Sequence, residues 1–323
     1  MVTSKSNLEG LRNLKVLSIG CKAREMMVNE RFWLVHSAFN HSFYAVSKKG
    51  GIICFVRNKL YTGPVNLVLA FPKNMPFRDV CVEKGNIMEY VPERLVVKDK
   101  VTFDLKHAKV WNSPIWRSKK FDLEKVKQNL SLAKDVCLKT CHRKGFGEFI
   151  VYLDDFVKGK NVALSCQDEV INVAFPHINT FIEGIRKGNG SLVKVSAYNL
   201  AGLGQGLTPS ADDFMIGFVA AASIISKHYH LNYEKVFSIN RGILSAFEEK
   251  STTSISMAFL RLAVEGEAIG PIWSLIESIF TSKNIERSTI GLLRIGHSSG
   301  VDMFFGVVLS TSLLLESLLG GTV

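Results

Sequence analysis

The feature that most constrains the fold is a change in hydrophobic period near residue 120. Before that point, short runs rich in β-branched and aromatic residues are separated by turn residues, a pattern typical of strands. Gly-Gly at 50–51 and Thr-Gly-Pro at 62–64 are two of these turns. We therefore expect a small β-rich barrel or sandwich over residues 1–115. The predicted strands are RFWLVHSAF, SFYAVS, GIICFVR, VNLVLAF, DVCVE and RLVVKDKVTFDL.

Beyond residue 121 the apolar residues recur at helical spacing. The clearest example is 254–265, where Ile255, Ala258, Phe259 and Leu262 lie at i, i+3, i+4 and i+7. Residues 116–323 are therefore predicted to form a mostly α-helical domain, which makes the chain an α+β protein. We expect a first helix that starts after residue 121 and ends at Gly145, and a possible strand at 192–198. Further helices are predicted near 149–158, 170–187, 210–228, 233–249, 254–265, 270–281 and 299–319.

Charge and cysteine content limit the function classes. The 323 residues contain 40 Lys+Arg and 29 Asp+Glu, a formal charge of +11, which favours anionic partners unless the lysines form a solvated surface. The six cysteines lack the spacing of a structural zinc site. The basic stretch 117–144 is interpreted as a solvated helix face, so nucleic acid is not a favoured partner.

Two segments, near the start and the end of the sequence, bear on the predicted cellular location. Residues 1–21 lack the apolar core of a signal peptide, and the apolar segment 301–319 is interpreted as a buried helix, not a membrane span. We expect a cytoplasmic protein with no membrane partner.

The most informative motif occurs twice. SADDFMIG at 210–217 and SGVDMFFG at 299–306 share Ser-x-x-Asp-x-x-x-Gly, and the first copy follows the glycine-rich loop GLGQGLTP. Each serine is predicted to be an N-cap, with the aspartate in the first turn. A mid-helix glycine costs about 1 kcal/mol relative to alanine, so the glycines indicate a close helix crossing. We hypothesise that the two helices pack about a pseudo-two-fold axis with their N-termini in one pocket; simple capping is the alternative.

Two such helix starts predict an anion site, because free backbone N–H groups and the positive helix end attract negative charge. One of Asp212 and Asp213 is expected to cap, and the other to accept a substrate N–H, bind a divalent cation or take a proton. No cofactor is expected; a divalent cation is possible. The candidate catalytic residues are Asp212, Asp213 and His297, and the candidate anion- or substrate-binding residues are Gly202, Gly204, Gly206, Thr208, Ser210, Gly296, Ser298, Ser299 and Asp302.

Three blocks carry a resemblance to a known family. GLGQGLTPSADDFMIGF, TTSISMAFLRLAVEGEAIGPIWSLI and IGHSSGVDMFFGVVL occur in the same order as in the AllH-like family, which includes the third, smaller subunit of oxamate carbamoyltransferase. The resemblance implies a subunit that works with two larger partners, in a complex that converts oxalurate and phosphate into oxamate and carbamoyl phosphate. One departure is Ala211, where the family often has glycine.

Three functions are compatible with these observations. The first is an enzyme subunit of the carbamoyl-transfer type with its site between the two Ser-x-x-Asp helices. The second is a non-catalytic subunit that senses an anion or acts as a scaffold. The third, a nucleic-acid-binding protein that uses the +11 charge, is the least favoured.

Overall fold

The structure divides into two compact units, Met1–Pro114 and Ile115–Val323. It is a computed structural model and describes residues 13–39, 42–57, 62–71, 82–115, 120–140, 145–164 and 166–318. The units are an N-terminal β-barrel and a C-terminal helical region, so the predicted α+β class is confirmed, with the barrel as the form of the β-rich part.

Eight of the strands described in the N-terminal unit close into a barrel, and a ninth pairs with one end of the first. A short helix, α1 (Cys21–Asn29), follows the first strand. The strands are β1 (Asn13–Gly20), β2 (Phe32–Ala38), β3 (Ser42–Ser47), β4 (Ile52–Val56), β5 (Asn66–Leu69), β6 (Ile87–Val91), β7 (Arg94–Val97), β8 (Val101–Asp104) and β9 (Lys109–Trp111).

Strand β1 closes the barrel. It pairs antiparallel with β5, where Val16 lies opposite Leu69, and parallel with β8, where Leu14 lies opposite Phe103. Its last residues pair with β9. Because β1 joins β5 to β8, these two strands do not expose a long unpaired edge.

Side-chain alternation fills the barrel. Trp33 on β2 is buried, whereas its neighbour Phe32 points outward and is exposed. Three phenylalanines meet inside, with ring centroids 4.1 Å apart for Phe43 and Phe55 and 4.8 Å apart for Phe55 and Phe103. This aromatic packing explains why the predicted strands are rich in phenylalanine.

The sequence patterns missed some elements of this unit. They did not identify α1, β1, β6 or β9, whose short apolar patterns contain polar or charged residues. In the predicted strand DVCVE, residues 79–81 lie outside the described residues, and Val82 and Glu83 are not in a strand.

The C-terminal unit is helical throughout its described residues, apart from loops. After α2 (Leu123–Thr140) comes a 3-10 segment, Gly145–Tyr152; residues 141–144, at the predicted end of the first helix, lie outside the described residues. The other helices are α3 (Leu153–Lys158), α4 (Glu169–Arg186), α5 (Gly190–Leu200), α6 (Ser210–Tyr229), α7 (Tyr233–Lys250), α8 (Ser254–Val264), α9 (Gly270–Thr281), α10 (Ile285–Leu293) and α11 (Ser299–Leu318).

The predicted strand at 192–198 is wrong, because these residues belong to α5. The Asn189 side chain accepts a hydrogen bond from the Leu192 N–H at 3.1 Å and so caps the helix. Val193, Ala197 and Leu200 are buried at i, i+4 and i+7, which is a helical period. The β-branched valines favoured a strand, but the cap and the buried stripe decide the local structure.

Helices α6 and α11 cross at two glycines. A Cβ on Gly217 would lie 2.2 Å from the backbone oxygen of Met303, and a Cβ on Gly306 would lie 2.1 Å from that of Phe214. The contact is reciprocal, because each glycine meets the residue that follows the aspartate in the other motif. The predicted close crossing is therefore present, and it has the expected pseudo-two-fold pattern.

The helix α11 is also long and apolar enough to cross a membrane by length and composition, and no other described helix is. In this structure 72% of its apolar window is buried inside the protein.

We expect Gly306→Ala to lower the free energy of unfolding by about 1–3 kcal/mol or more, because the added methyl group cannot fit against a backbone carbonyl. The matched control is Gly242→Ala in α7, where no atom lies within 4 Å of the new Cβ. That change should raise the free energy of unfolding by about 0.5–1 kcal/mol through helix propensity. Denaturant unfolding of both variants tests the crossing, and equal stability of the two would contradict it.

Candidate functional site

The two repeated motifs meet at the start of α6 and α11. Ser210 on α6 lies beside the Asp302 carboxyl and lowers its pKa, and Ser299 on α11 has the same effect on Asp213. Neither hydroxyl satisfies Asp302 Oδ2 or Asp213 Oδ1, which have no hydrogen-bond partner among the described residues. Both helices begin at these serines. The N-cap residue of α6 is Pro209, so no side chain accepts a capping hydrogen bond at this helix start. The predicted N-cap role of Ser210 is therefore wrong. Each serine instead lies beside the aspartate of the opposite helix.

Asp212 is fully buried and well supplied with hydrogen-bond donors. Its Oδ1 accepts the Gly202 N–H at 2.7 Å, and its Oδ2 accepts the Thr252 hydroxyl at 2.5 Å. Burial raises its pKa, and the hydroxyls of Thr252 and Ser256 and the Gly202 N–H oppose this rise. Asp212 thus ties the glycine loop to the start of α8.

Asp213 is also fully buried, but one of its oxygens lacks a donor. Oδ2 accepts the Thr208 hydroxyl at 3.0 Å, whereas Oδ1 has no hydrogen-bond partner among the described residues. Its pKa is raised well above the usual value, first by desolvation and further by the charges of Asp302 and Asp212. Neither the Asp212 nor the Asp213 side chain accepts a hydrogen bond from an N–H group in the first turn of α6. The predicted capping role of these aspartates is therefore wrong.

Asp302 repeats this arrangement on α11. Its Oδ1 accepts the Phe146 N–H at 2.6 Å, and its Oδ2 has no hydrogen-bond partner within the described part of the chain. Gly145 precedes that donor with φ +50°, and a Cβ there would lie 2.2 Å from the carboxylate. Burial raises the pKa of Asp302 to about 7, although the Phe146 N–H and the hydroxyls of Ser210 and Ser298 oppose the rise.

The glycine-rich loop covers this centre. Gly202, Gly204 and Gly206 all have positive φ, and a Cβ on Gly204 would lie 2.6 Å from the Ser210 nitrogen. Gly202 and Gly206 reach the surface, whereas the three carboxyls below have no exposed surface. The Thr253 hydroxyl holds the loop by donating to the Leu207 carbonyl at 2.5 Å.

Several backbone donors expected to bind an anion are already used. The Ala211 N–H donates to the Leu203 carbonyl at 3.0 Å, and the Gly300 N–H donates to the Ile295 carbonyl at 2.9 Å. The Val301 N–H donates to the Ser298 carbonyl at 2.8 Å. Both helix starts are thus partly filled by their own preceding loops.

The sequence-predicted residues divide into two groups. His297 is exposed, a Cβ added to Gly206 would have no atom within 4 Å, and one added to Gly296 would meet only Ser299. Within the described residues, none of these three forms a hydrogen bond with the carboxyls. The structure does bring together Gly202, Gly204, Thr208, Ser210, Asp212, Asp213, Ser298, Ser299 and Asp302.

Four residues of the centre were not predicted as site residues: Gly145, Phe146, Thr252 and Ser256. Gly145 and Phe146 lie 156 residues or more before Asp302, and no local pattern links them. Thr252 had a signal, since the paired threonines before α8 are typical of a helix start, and Thr253 does cap it by accepting the Ser256 N–H.

Metal binding has no further support here. The described residues contain no group of three or more His, Cys, Asp or Glu side chains arranged to hold a metal ion. An apolar cavity lies elsewhere, lined by residues of α4, α6, α7 and α11 that include Phe218, Asn240 and Leu313, and no candidate site residue lines it.

The fold and the site define a class: a β-barrel unit followed by a helical unit whose paired Ser-x-x-Asp helix starts bury three carboxyls. A family model described as oxamate carbamoyltransferase subunit AllH matches residues 200–311. A second, described as the AllH family N-terminal domain, matches residues 15–110. The chain belongs to the AllH family, which confirms the resemblance found in the sequence. No solved structure matches the chain.

The family description supports the coarser functional prediction, a carbamoyltransferase subunit that has larger partner subunits. The match at 200–311 contains the glycine loop and all three aspartates, whereas Gly145 and Phe146 lie outside both matches.

The raised pKa of Asp302 predicts a dependence of stability on pH. The folded state favours the protonated carboxyl, so this contribution is complete below the ordinary pKa of 3.8 and is lost as the pH rises through about 7. Asp302→Asn keeps the shape but cannot ionise. Between pH 5 and pH 8 the wild type should therefore lose about 2 kcal/mol more stability than the variant. Denaturant unfolding at both pH values tests this, and parallel losses would contradict it.

Proposed function

We propose that this chain is the subunit of a carbamoyltransferase complex that acts on a small ureido or amide acid, with oxalurate and phosphate giving oxamate and carbamoyl phosphate. The family membership supports the reaction type. The main observation in support of the site is that the carboxyls of Asp213 and Asp302 lie close enough to interact. Both are fully buried, and each has one oxygen without a hydrogen-bond partner in the described residues.

The reaction requires one proton to move. A phosphate oxygen attacks the carbamoyl carbon, the bond from that carbon to the amide nitrogen breaks, and a proton lost by phosphate ends on that nitrogen. A group that gives and takes this proton works best when its pKa lies near the working pH. Burial brings the pKa of Asp302 to about 7, which suits this role.

The other residues of the centre would act by position. Ser210 and Ser299 would orient the carboxyls across the crossing, and Thr208 would fix one oxygen of Asp213. Asp212 would hold the glycine loop and take no part in proton transfer, since both its oxygens are bonded.

A non-catalytic scaffold or anion-sensing subunit is the second candidate. The observation in its favour is that all three carboxyls have no exposed surface, so a substrate would have to displace the loop to reach them. In that case a partner subunit would supply the catalytic groups.

Reconstitution with the partner subunits separates these two candidates. We expect Asp302→Asn to lower carbamoyl transfer by about 10²–10⁴-fold, the usual contribution of a general acid or base, and Asp213→Asn to lower it too. Ser210→Ala should lower it as well. Asp135→Asn, on the outer part of α2 away from the centre, is the matched control and should keep full activity.

Assembly of each variant complex must be measured beside its activity, for example by size-exclusion chromatography. Full transfer activity in Asp302→Asn, Asp213→Asn and Ser210→Ala would contradict a catalytic role for this centre and favour the scaffold function.

A further inference from the structure

We infer that the centre formed by Asp213 and Asp302 binds the neutral carbamoyl group of the substrate, –CO–NH₂, and that the anionic groups bind elsewhere in the complex. This inference rests on the proposed function and deepens it by assigning one part of the substrate to this chain. It replaces the expectation that the two helix starts form a phosphate cradle.

The supply of donors argues against an anion. A phosphate at a helix start needs free backbone N–H groups. Here the Ala211, Gly300 and Val301 N–H groups donate to carbonyls of their own loops. The Gly202 and Phe146 N–H groups donate to Asp212 and Asp302. These five backbone donors are therefore not available to an anion.

The charge of the centre argues in the same direction. Three carboxyls approach one another, and hydroxyl and N–H donors are the groups that act on them. No described lysine or arginine contributes to the pKa of any of the three. A phosphate would therefore meet ionised or partly ionised carboxyls without a compensating cation, which is unfavourable in a buried site.

What the centre lacks is a donor for two acceptors. Asp213 Oδ1 and Asp302 Oδ2 are buried without a hydrogen-bond partner in the described residues. An unsatisfied buried acceptor costs free energy comparable to a lost hydrogen bond. A ligand that brings N–H groups recovers this free energy, whereas a ligand with only acceptor oxygens does not.

The protonation of the pair makes the match more specific. Both carboxyls have a raised pKa, and the charge of Asp302 raises the pKa of Asp213 further, so Asp213 can be protonated while Asp302 is ionised. The ionised carboxylate accepts from an NH₂ group, and the protonated carboxyl donates to a carbonyl oxygen. A carbamoyl group presents that combination of donor and acceptor without bringing a negative charge into the centre.

The loop provides a route of entry. The carboxyls have no exposed surface, so the ligand has to displace part of the segment 202–208. This segment contains three glycines at positive φ. Its bonds include those of the Gly202 N–H to Asp212, of the Thr208 hydroxyl to Asp213 and of the Thr253 hydroxyl to the Leu207 carbonyl. Displacement of Thr208 frees a second oxygen of Asp213 for the ligand.

The test compares three probes by ligand-observed NMR with the full chain. N-acetylurea is a neutral ureide with a terminal NH₂ group, N-acetyl-N′,N′-dimethylurea is its match without that group, and the third probe is inorganic phosphate. We expect N-acetylurea to bind at least about 10-fold more tightly than the dimethyl compound, since a polar site rejects a ligand that lacks the required N–H. Asp213→Asn should abolish this preference, Asp135→Asn should keep it, and phosphate should not compete.

Equal binding of the two ureides would overturn the inference, as would the absence of N-acetylurea binding or its competition by phosphate. Turnover by the reconstituted complex is measured separately. If the Asp213→Asn complex loses turnover while the probes show no preference, the proposed function stands and the assignment of the carbamoyl group to this centre fails.

Discussion

The close crossing of α6 and α11 is the contact on which the candidate site depends. Helices with ordinary side chains pack about 8–10 Å apart. Here Gly217 and Gly306 each face a backbone carbonyl of the other helix at a distance that excludes even a Cβ. The crossing therefore brings the two helix starts together and lets Ser210 and Ser299 reach the opposite aspartate. A larger residue at either glycine would push the two helices apart, and each serine would then lie farther from the aspartate of the opposite helix.

The three buried carboxyls differ in how well their surroundings satisfy them. Asp212 is bonded on both oxygens and joins the glycine loop to α8, which is a structural role. Asp213 and Asp302 each keep an open oxygen, at a free-energy cost that the surrounding packed helices must offset. Buried polar groups are usually satisfied, so a pair of carboxyls that is not makes this place a candidate functional site. The number of hydrogen-bonded oxygens thus separates Asp212, which has a structural role, from Asp213 and Asp302, which are the candidate catalytic residues.

Local patterns in the sequence predicted part of this account. The repeated Ser-x-x-Asp-x-x-x-Gly predicted two related helices and a close crossing, because helix periodicity and glycine cost are local properties. Long-range partners left no such signal: Phe146 donates to Asp302 from 156 residues away, and only the fold brings them together. The serines were assigned as caps for the same reason, since their true partners lie on the other helix. The valines of α5 suggested a strand, but burial on one helical face decided otherwise.

The central claim is that Asp213 and Asp302 form one coupled centre in the folded chain. It is tested most directly by following the side-chain carboxyl carbons of both residues by ¹³C NMR as the pH changes, with Asp213→Asn and Asp302→Asn for assignment. The account predicts that Asp302 titrates near pH 7 and that Asp302→Asn shifts the apparent pKa of Asp213 downward, because the charge of Asp302 is one of the causes that raise it. Titration of both residues near 3.8, the ordinary value, or an Asp213 titration that is unchanged in Asp302→Asn, would contradict it.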